Sequence, residues 1–171
     1  VLDSAGLTRK VYLPPALLPL ASIMSALINL VLSLIPLLLL MLVTGATFTP
    51  ALLVLPASFL LLAVFAYGLG LILAASSVFF RDTVYTYGVL LVAWMYLTPL
   101  FYPPEIIPPR FAPLLQLNPV YHLVELVRAP VYAGQLPDPG HVAAATAFSV
   151  ATVVFGFWYF NVMRDRFVAY L

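Results

Sequence analysis

Residues 101–110 read FYPPEIIPPR, four prolines in ten positions. They follow a charge-free apolar run and precede a second, half-apolar segment that is also dotted with proline. Proline lacks the backbone N–H and interrupts a helix, and lipid does not tolerate unpaired backbone. A chain that is membrane-like on both sides of such a stretch needs a reason to break there.

Composition makes the bilayer the expected solvent. Of 171 residues, 64% are hydrophobic and only 8% charged, against roughly 25% charged in an ordinary soluble domain. Mean hydropathy is +1.12. The net charge of +1 gives no footing for nucleic acid. With no cysteine there is neither a disulfide framework nor a thiolate metal site. The chain opens on Val1 rather than methionine, which reads as a fragment. Its first apolar run is far longer than a signal-peptide core of about 7–15 residues, so it is read as mature structure.

Four segments are long enough to cross a hydrocarbon core of ~30 Å, which takes about 20 helical residues. They are 16–43, 51–78, 83–102 and 142–163, and none contains Asp, Glu, Lys or Arg. The first two would reach about 42 Å at ~1.5 Å per residue, so they must tilt, kink at Pro36 or Pro56, or project from the membrane. Arg9, Lys10, Arg81, Arg164 and Arg166 fall on one face of this arrangement, and only Arg110 and Arg128 on the other. The basic face is the cytoplasmic one. The connection 103–141 then lies outside, and ten of the sixteen prolines fall between Pro99 and Pro139.

Within that connection, residues 120–133 are apolar but too short to span. Tyr121, Glu125, Arg128 and Tyr132 recur at helical spacing and predict one polar stripe. Two short helices, roughly 111–117 and 120–133, dipping into the outer leaflet and returning, satisfy this pattern. Broken backbone at membrane depth survives only under a cover of protein or beside a water-filled cavity. FYPPEIIPPR then marks the lip of a polar passage. An ordered outer loop on the headgroups is the alternative. The expected fold is all-α: a polytopic membrane protein with four transmembrane helices and short re-entrant outer helices.

Several smaller features carry two readings each. Arg81 and Asp82 sit where a helix must leave the membrane, either as an interfacial stop with a local ion pair or as a contact for a cytoplasmic partner. Ala66, Gly70 and Ala74 make a small-residue row that admits a close neighbour helix. On the third span, Tyr87, Leu91, Trp94, Thr98 and Phe101 share a face. Tyr85, Tyr87, Phe101 and Tyr102 suit interfacial belts, whereas Trp94 and Tyr96 lie deeper, where their polar atoms need partners. Helix packing and stacking on sugar rings both account for that face. Asn29, deep in the first span, is expected to be a buried amide bonded across helices, with substrate contact as the alternative. His122 and Glu125 raise acid–base or metal chemistry, but no H-E-x-x-H, G-x-S-x-G or further histidine cluster accompanies them. No G-x-x-x-x-G-K-[ST] phosphate loop is present, and Lys10 is the sole lysine.

Taken in order, GLTRKVYLPPALLPL (6–20), FFRDTVYTYG (79–88), WMYLTPLFYPPEIIPPRF (94–111), LNPVYHLVELVRAPVYAG (117–134) and YFNVMRDRF (159–167) resemble the permease subunit of ABC-type polysaccharide exporters. That group moves lipid-linked O-antigen or teichoic acid across the bacterial cytoplasmic membrane. Its members typically have six spans, and the four here would correspond to the third to sixth. The resemblance implies a homodimer of permeases around a channel, with two separate ATP-binding subunits beneath that hold the ATP and Mg; this chain itself binds no cofactor. Residues 1–15 would be the cytoplasmic coupling segment, with Gly6, Leu7, Arg9 and Lys10 touching the ATPase and Arg81 and Asp82 forming a second contact. Pro99, Tyr102, Pro103, Pro104, Pro108, Pro109, Asn118, Pro119, Glu125 and Arg128 would belong to the outward gate. Tyr87, Trp94, Tyr96, Thr98 and Phe101 would line the glycan path. Two other functions share parts of the pattern: a permease exporting small amphipathic drugs or lipids, and an intramembrane enzyme acting on lipid-linked sugars.

Overall fold

The computed structural model describes residues 17–46, 48–79 and 82–164. Among these residues all regular structure is helical. Helix α1 is Leu17–Thr44. A 3-10 turn, Pro50–Val54, runs straight into α2, Leu55–Phe79. Helix α3 is Thr83–Leu97. The proline-rich connection holds two 3-10 turns, Pro104–Ile106 and Pro109–Phe111. It continues through the short α4, Ala112–Gln116, and α5, Pro119–Arg128. A π-helical turn, Ala129–Ala133, ends on Gly134 in the left-handed region, and α6 is Pro139–Arg164.

Three helices are long and apolar enough to cross a membrane: Pro19–Thr44, Pro50–Phe79 and Pro139–Met163. They match the first, second and fourth expected spans to within a few residues. The third expected span is shorter than its sequence suggests. Residues 83–102 carry no charge, yet α3 stops at Leu97 after fifteen residues, about 22 Å at the helical rise. Thr98 precedes a proline, which disfavours the helical region for the residue before it. Thr98 accordingly turns extended, at φ −97° and ψ 129°.

The prolines also serve as helix starts. Pro50, Pro104, Pro109, Pro113 and Pro119 each stand in the first or second position of a helical turn, and Pro139 begins α6. The N–H groups of a helix's first turn have no intrahelical acceptor, so proline costs nothing there and its fixed φ favours the helix. FYPPEIIPPR is therefore two helical starts in succession, the first ending before the second proline pair.

Helices α2 and α6 form the spine. Where they cross, the backbones touch. A methyl group on Gly68 would lie 2.5–2.6 Å from the Thr152 carbonyl carbon and oxygen and from the Val153 nitrogen, and one on Gly156 would collide with the Gly68 carbonyl. Lipid is as apolar as leucine, so helices in it associate through close packing and polar contacts. Toward the Phe79 end of α2, Leu71, Ala74 and Ala75 pack on Phe160. Toward the other end, Phe65 packs on Leu123, Leu126 and Ala145, with Trp94 alongside. Two serines add cross-links: Ser149 Oγ donates to the Leu61 carbonyl at 3.2 Å, and Ser58 Oγ to the Leu126 carbonyl at 3.3 Å.

The expected small-residue row is only partly the site of closest approach. Gly70 meets α1, with Pro19 Cβ 3.3 Å from where its own Cβ would stand, but the tightest crossing is at Gly68, outside the row. Helix α1 touches little besides α2, and Asn29 on it is exposed rather than buried. The predicted amide bond to another helix does not form among the described residues.

Candidate functional site

The site is the junction where the end of α3 meets the start of α5. Asn118 organises it. As the N-cap of α5, its Oδ1 accepts from the Val120 N–H at 3.1 Å, which satisfies one of the orphan donors of the first turn. The same oxygen accepts from the Trp94 indole N–H at 2.9 Å. The amide nitrogen donates to Thr98 Oγ1 at 2.9 Å, and that hydroxyl in turn donates to the Trp94 carbonyl at 2.9 Å. Three residues from two helices thus close a ring of hydrogen bonds. Thr98 is 1% exposed and Pro99 fully buried, so water cannot substitute for these partners.

A second tie lies about three turns further along, at the other end of α5. Arg128 donates through one amino group to Glu125 Oε1 at 2.9 Å and through the other to the Pro99 carbonyl. Both side chains are half-buried. Arg128 therefore satisfies a carbonyl exposed by the helix break at Pro99 while its charge is balanced within α5. Thr98 and Pro99 are held from both ends of α5.

Of the residues singled out for an outward gate, the structure brings Pro99, Asn118, Pro119, Glu125 and Arg128 together. Tyr102 is a neighbour: its hydroxyl donates to the Tyr96 carbonyl at 2.7 Å. Pro103, Pro108 and Pro109 are exposed on the two 3-10 turns, and Pro104 is half-buried. The predicted polar stripe is carried by Glu125 and Arg128; Tyr121 is buried, and Tyr132 is 86% exposed beyond the end of α5. The π-helical turn sets Tyr132 off the α-helical register.

Tyr87, Leu91, Trp94 and Thr98, the predicted face of α3, line one cavity of about 1040 Å³ with Ala66, Gly70 and Ala74 of α2 and Pro19 and Ile23 of α1. Tyr96 and Phe101 lie outside it and are exposed. Phe101 follows the helix break, so the helical spacing that placed it on this face no longer applies. Trp94 stands at the top of the cavity with its N–H taken by Asn118 and the Phe65 ring edge-on at 6.4 Å.

Gly6, Leu7, Arg9, Lys10 and Arg81 lie outside the described residues. Asp82 is exposed at the start of α3 and makes no side-chain cap. His122 and Glu125 do not converge on a common point. Glu125 holds Arg128, and both nitrogens of His122 are engaged, one by the Gln116 carbonyl and one by His141. No group of three or more metal-ligating side chains occurs among the described residues. The contact with His141 was not foreseen, because nineteen residues and a loop separate the two rings.

Residues 7–132 match the family model described as ABC-2 type transporter. The chain belongs to that family, and with three helices of spanning length it is a multi-pass membrane protein. It is also 33% identical over 167 residues to the O-antigen export system permease protein RfbA of Myxococcus xanthus. The match covers 96% of this chain and 64% of that protein, so the chain spans a little under two thirds of its relative's length.

Proposed function

We propose that this chain is part or all of the membrane subunit of an ATP-driven exporter that moves lipid-linked polysaccharide, of O-antigen or teichoic-acid type, across the bacterial cytoplasmic membrane. The observation that carries the reading is the identity to a permease named for O-antigen export, continuous over 96% of the chain. The geometry of α5 supports it. This helix lies alongside the spine rather than above it, packed against Phe65 and Ala145. Phe65 stands fifteen residues past Pro50, about 22 Å along the helix. Ala145 stands six residues past Pro139, about 9 Å along its helix, so α5 packs below the outer ends of both helices, as a re-entrant segment would, with its broken backbone covered by the caps and ties at Asn118 and Arg128.

In this reading α5 and the turns before it close the outer end of the passage. Trp94, Thr98 and Pro99 tie α3 to α5 through Asn118 and Arg128, so a tilt of α3 draws α5 with it. Two copies of the permease enclose the conduit, and Tyr87 and Trp94 face it, with Thr98 buried behind them. Two separate ATP-binding subunits, which carry the ATP and Mg, press on residues 1–15 and on the turn bearing Arg81 and Asp82. Their closure tilts the helices and opens the outer end. The described parts of the three long helices hold no Asp, Glu, Lys or Arg before Arg164.

A second reading is favoured by the lining of the cavity, which is mostly apolar and open to the outside of the helix cluster: export of a small amphipathic molecule. The test is turnover by the transporter reconstituted with its ATP-binding subunit. Lipid-linked glycan should stimulate ATP hydrolysis and amphipathic dyes should not. Stimulation by dyes alone would favour the second reading. Stimulation by neither, in a complex shown to assemble, would reject both.

A further inference from the structure

His122, on α5, is 2% exposed, and its Nδ1 lies 2.8 Å from Nδ1 of His141 in the first turn of α6. The ring centres are 5.0 Å apart, close to the greatest separation that such a contact between two ring atoms allows. The nitrogens therefore meet head-on, along the line joining the rings. Two ligands of one metal ion would instead point toward a third position. The geometry is that of an N–H···N hydrogen bond.

The protons can be assigned. His122 Nε2 is 2.8 Å from the Gln116 carbonyl, which can only accept, so Nε2 carries hydrogen. In neutral His122 the Nδ1 is then the acceptor, and His141 Nδ1–H donates to it. If His122 takes a further proton, its Nδ1 becomes the donor, and His141 accepts by moving its own hydrogen to Nε2. The contact thus tolerates one added proton. It does not tolerate two, because both facing nitrogens would then carry hydrogen and a buried cation on His122 would face a second one on half-buried His141.

We propose that His122 and His141 form a proton-limited clasp holding the re-entrant helix α5 to the start of α6, and that acid on the outer side releases it. This rests on the reading of α5 as the outer closure of the passage. Phe148 stacks on His122 at 5.9 Å and Tyr121 stands edge-on to His141 at 5.3 Å, so the immediate cover is aromatic. The other charged groups on the packed elements are committed elsewhere: Glu125 to Arg128, and Asp138 to the Gly140 N–H at 2.9 Å. Helix α2 has no charged residue. Among the described residues neither histidine has a carboxylate within ion-pair distance, so the doubly charged state has no direct counter-ion. Imidazole changes charge between about pH 5 and 8. The released form binds more protons than the clasped one, so its population rises as pH falls.

The test uses the complete transporter in nanodiscs, with spin labels on Leu117→Cys and Val142→Cys, which flank the clasp and are 72% and 38% exposed; the sequence has no other cysteine. Between about pH 8 and pH 5 the distance distribution should lengthen and broaden. In His141→Asn the amide can flip to donate to or accept from His122 in either state, so the pH 8 distance should be kept and the acid change lost. An unchanged distribution at pH 5 in the unsubstituted pair overturns the proposal, as does an acid change that persists in His141→Asn. Neither outcome depends on what the transporter moves, so failure here leaves the export assay independent.

Discussion

Replacing Asn118 with Ala should detach α5 more than any other single change at the junction. The substitution deletes two accepted hydrogen bonds, from Trp94 Nε1 and Val120 N, and one donated to Thr98. Thr98 keeps its bond to the Trp94 carbonyl, so its loss is small. The missing N-cap costs about 1 kcal/mol, and the orphaned indole N–H about 1–3 kcal/mol. The sum is about 2–4 kcal/mol, which multiplies the detached population about 30- to 700-fold at ~1.4 kcal/mol per tenfold. Trp94→Phe removes the donor and leaves the cap, so its cost should be about 0.5–1.5 kcal/mol. The readout is maleimide labelling of Leu123→Cys, a position 4% exposed on α5, in a chain with no other thiol. Labelling must be slow in the background variant, fastest with Asn118→Ala, and intermediate with Trp94→Phe. The double variant should fall short of additivity, since both changes break one bond. Equal rates with and without Asn118→Ala would refute the idea that this side chain holds α5 down.

Four other outcomes can be checked alongside. Arg128→Met leaves the Pro99 carbonyl and the Glu125 carboxylate without their donor, and should lower thermal stability by about 1.5–3 kcal/mol. Gly156→Val drives a side chain into the Gly68 carbonyl and should cost at least about 3 kcal/mol, seen as loss of folded protein in detergent. Changing Pro103, Pro104, Pro108 and Pro109 to Ala should impair export while membrane insertion, followed by protease protection, stays normal; undiminished export would count against the gate. Arg9→Glu combined with Lys10→Glu should uncouple ATP hydrolysis from transport, with orientation verified in the same preparation because the basic residues also set topology.

The long helices were legible because an uncharged apolar run of membrane length has few other uses: α1, α2 and α6 all begin and end within a few residues of the expected limits. Residues 120–133 were legible as a short helix from an apolar run too short to span and from polar residues at helical spacing. Pairings between helices were not. In lipid a leucine facing a neighbour and a leucine facing an acyl chain look alike, so nothing singled out Gly68 and Gly156 from the other small residues, or foretold that Asn29 would be exposed. The early end of α3 was written in Thr98 and Pro99 but was outweighed by the apolar run continuing to Tyr102. For Trp94 the sequence showed that a polar atom needed a partner, and the partner proved to be twenty-four residues away at Asn118. The histidine pair is the extreme case, because neither ring carries a local pattern that names the other.

Where α2 and α6 touch at Gly68 and Gly156, no cushion of side chains separates them, so neither helix can yield by repacking at that point. A tilt of α2 relative to α6 must turn about it, as a beam turns on a pivot. The pivot lies near the middle of α2, so the Leu55 end and the Phe79 end swing in opposite directions by similar amounts. A push delivered at the Phe79 end therefore arrives, reversed, at Ser58 and the helix bonded to it.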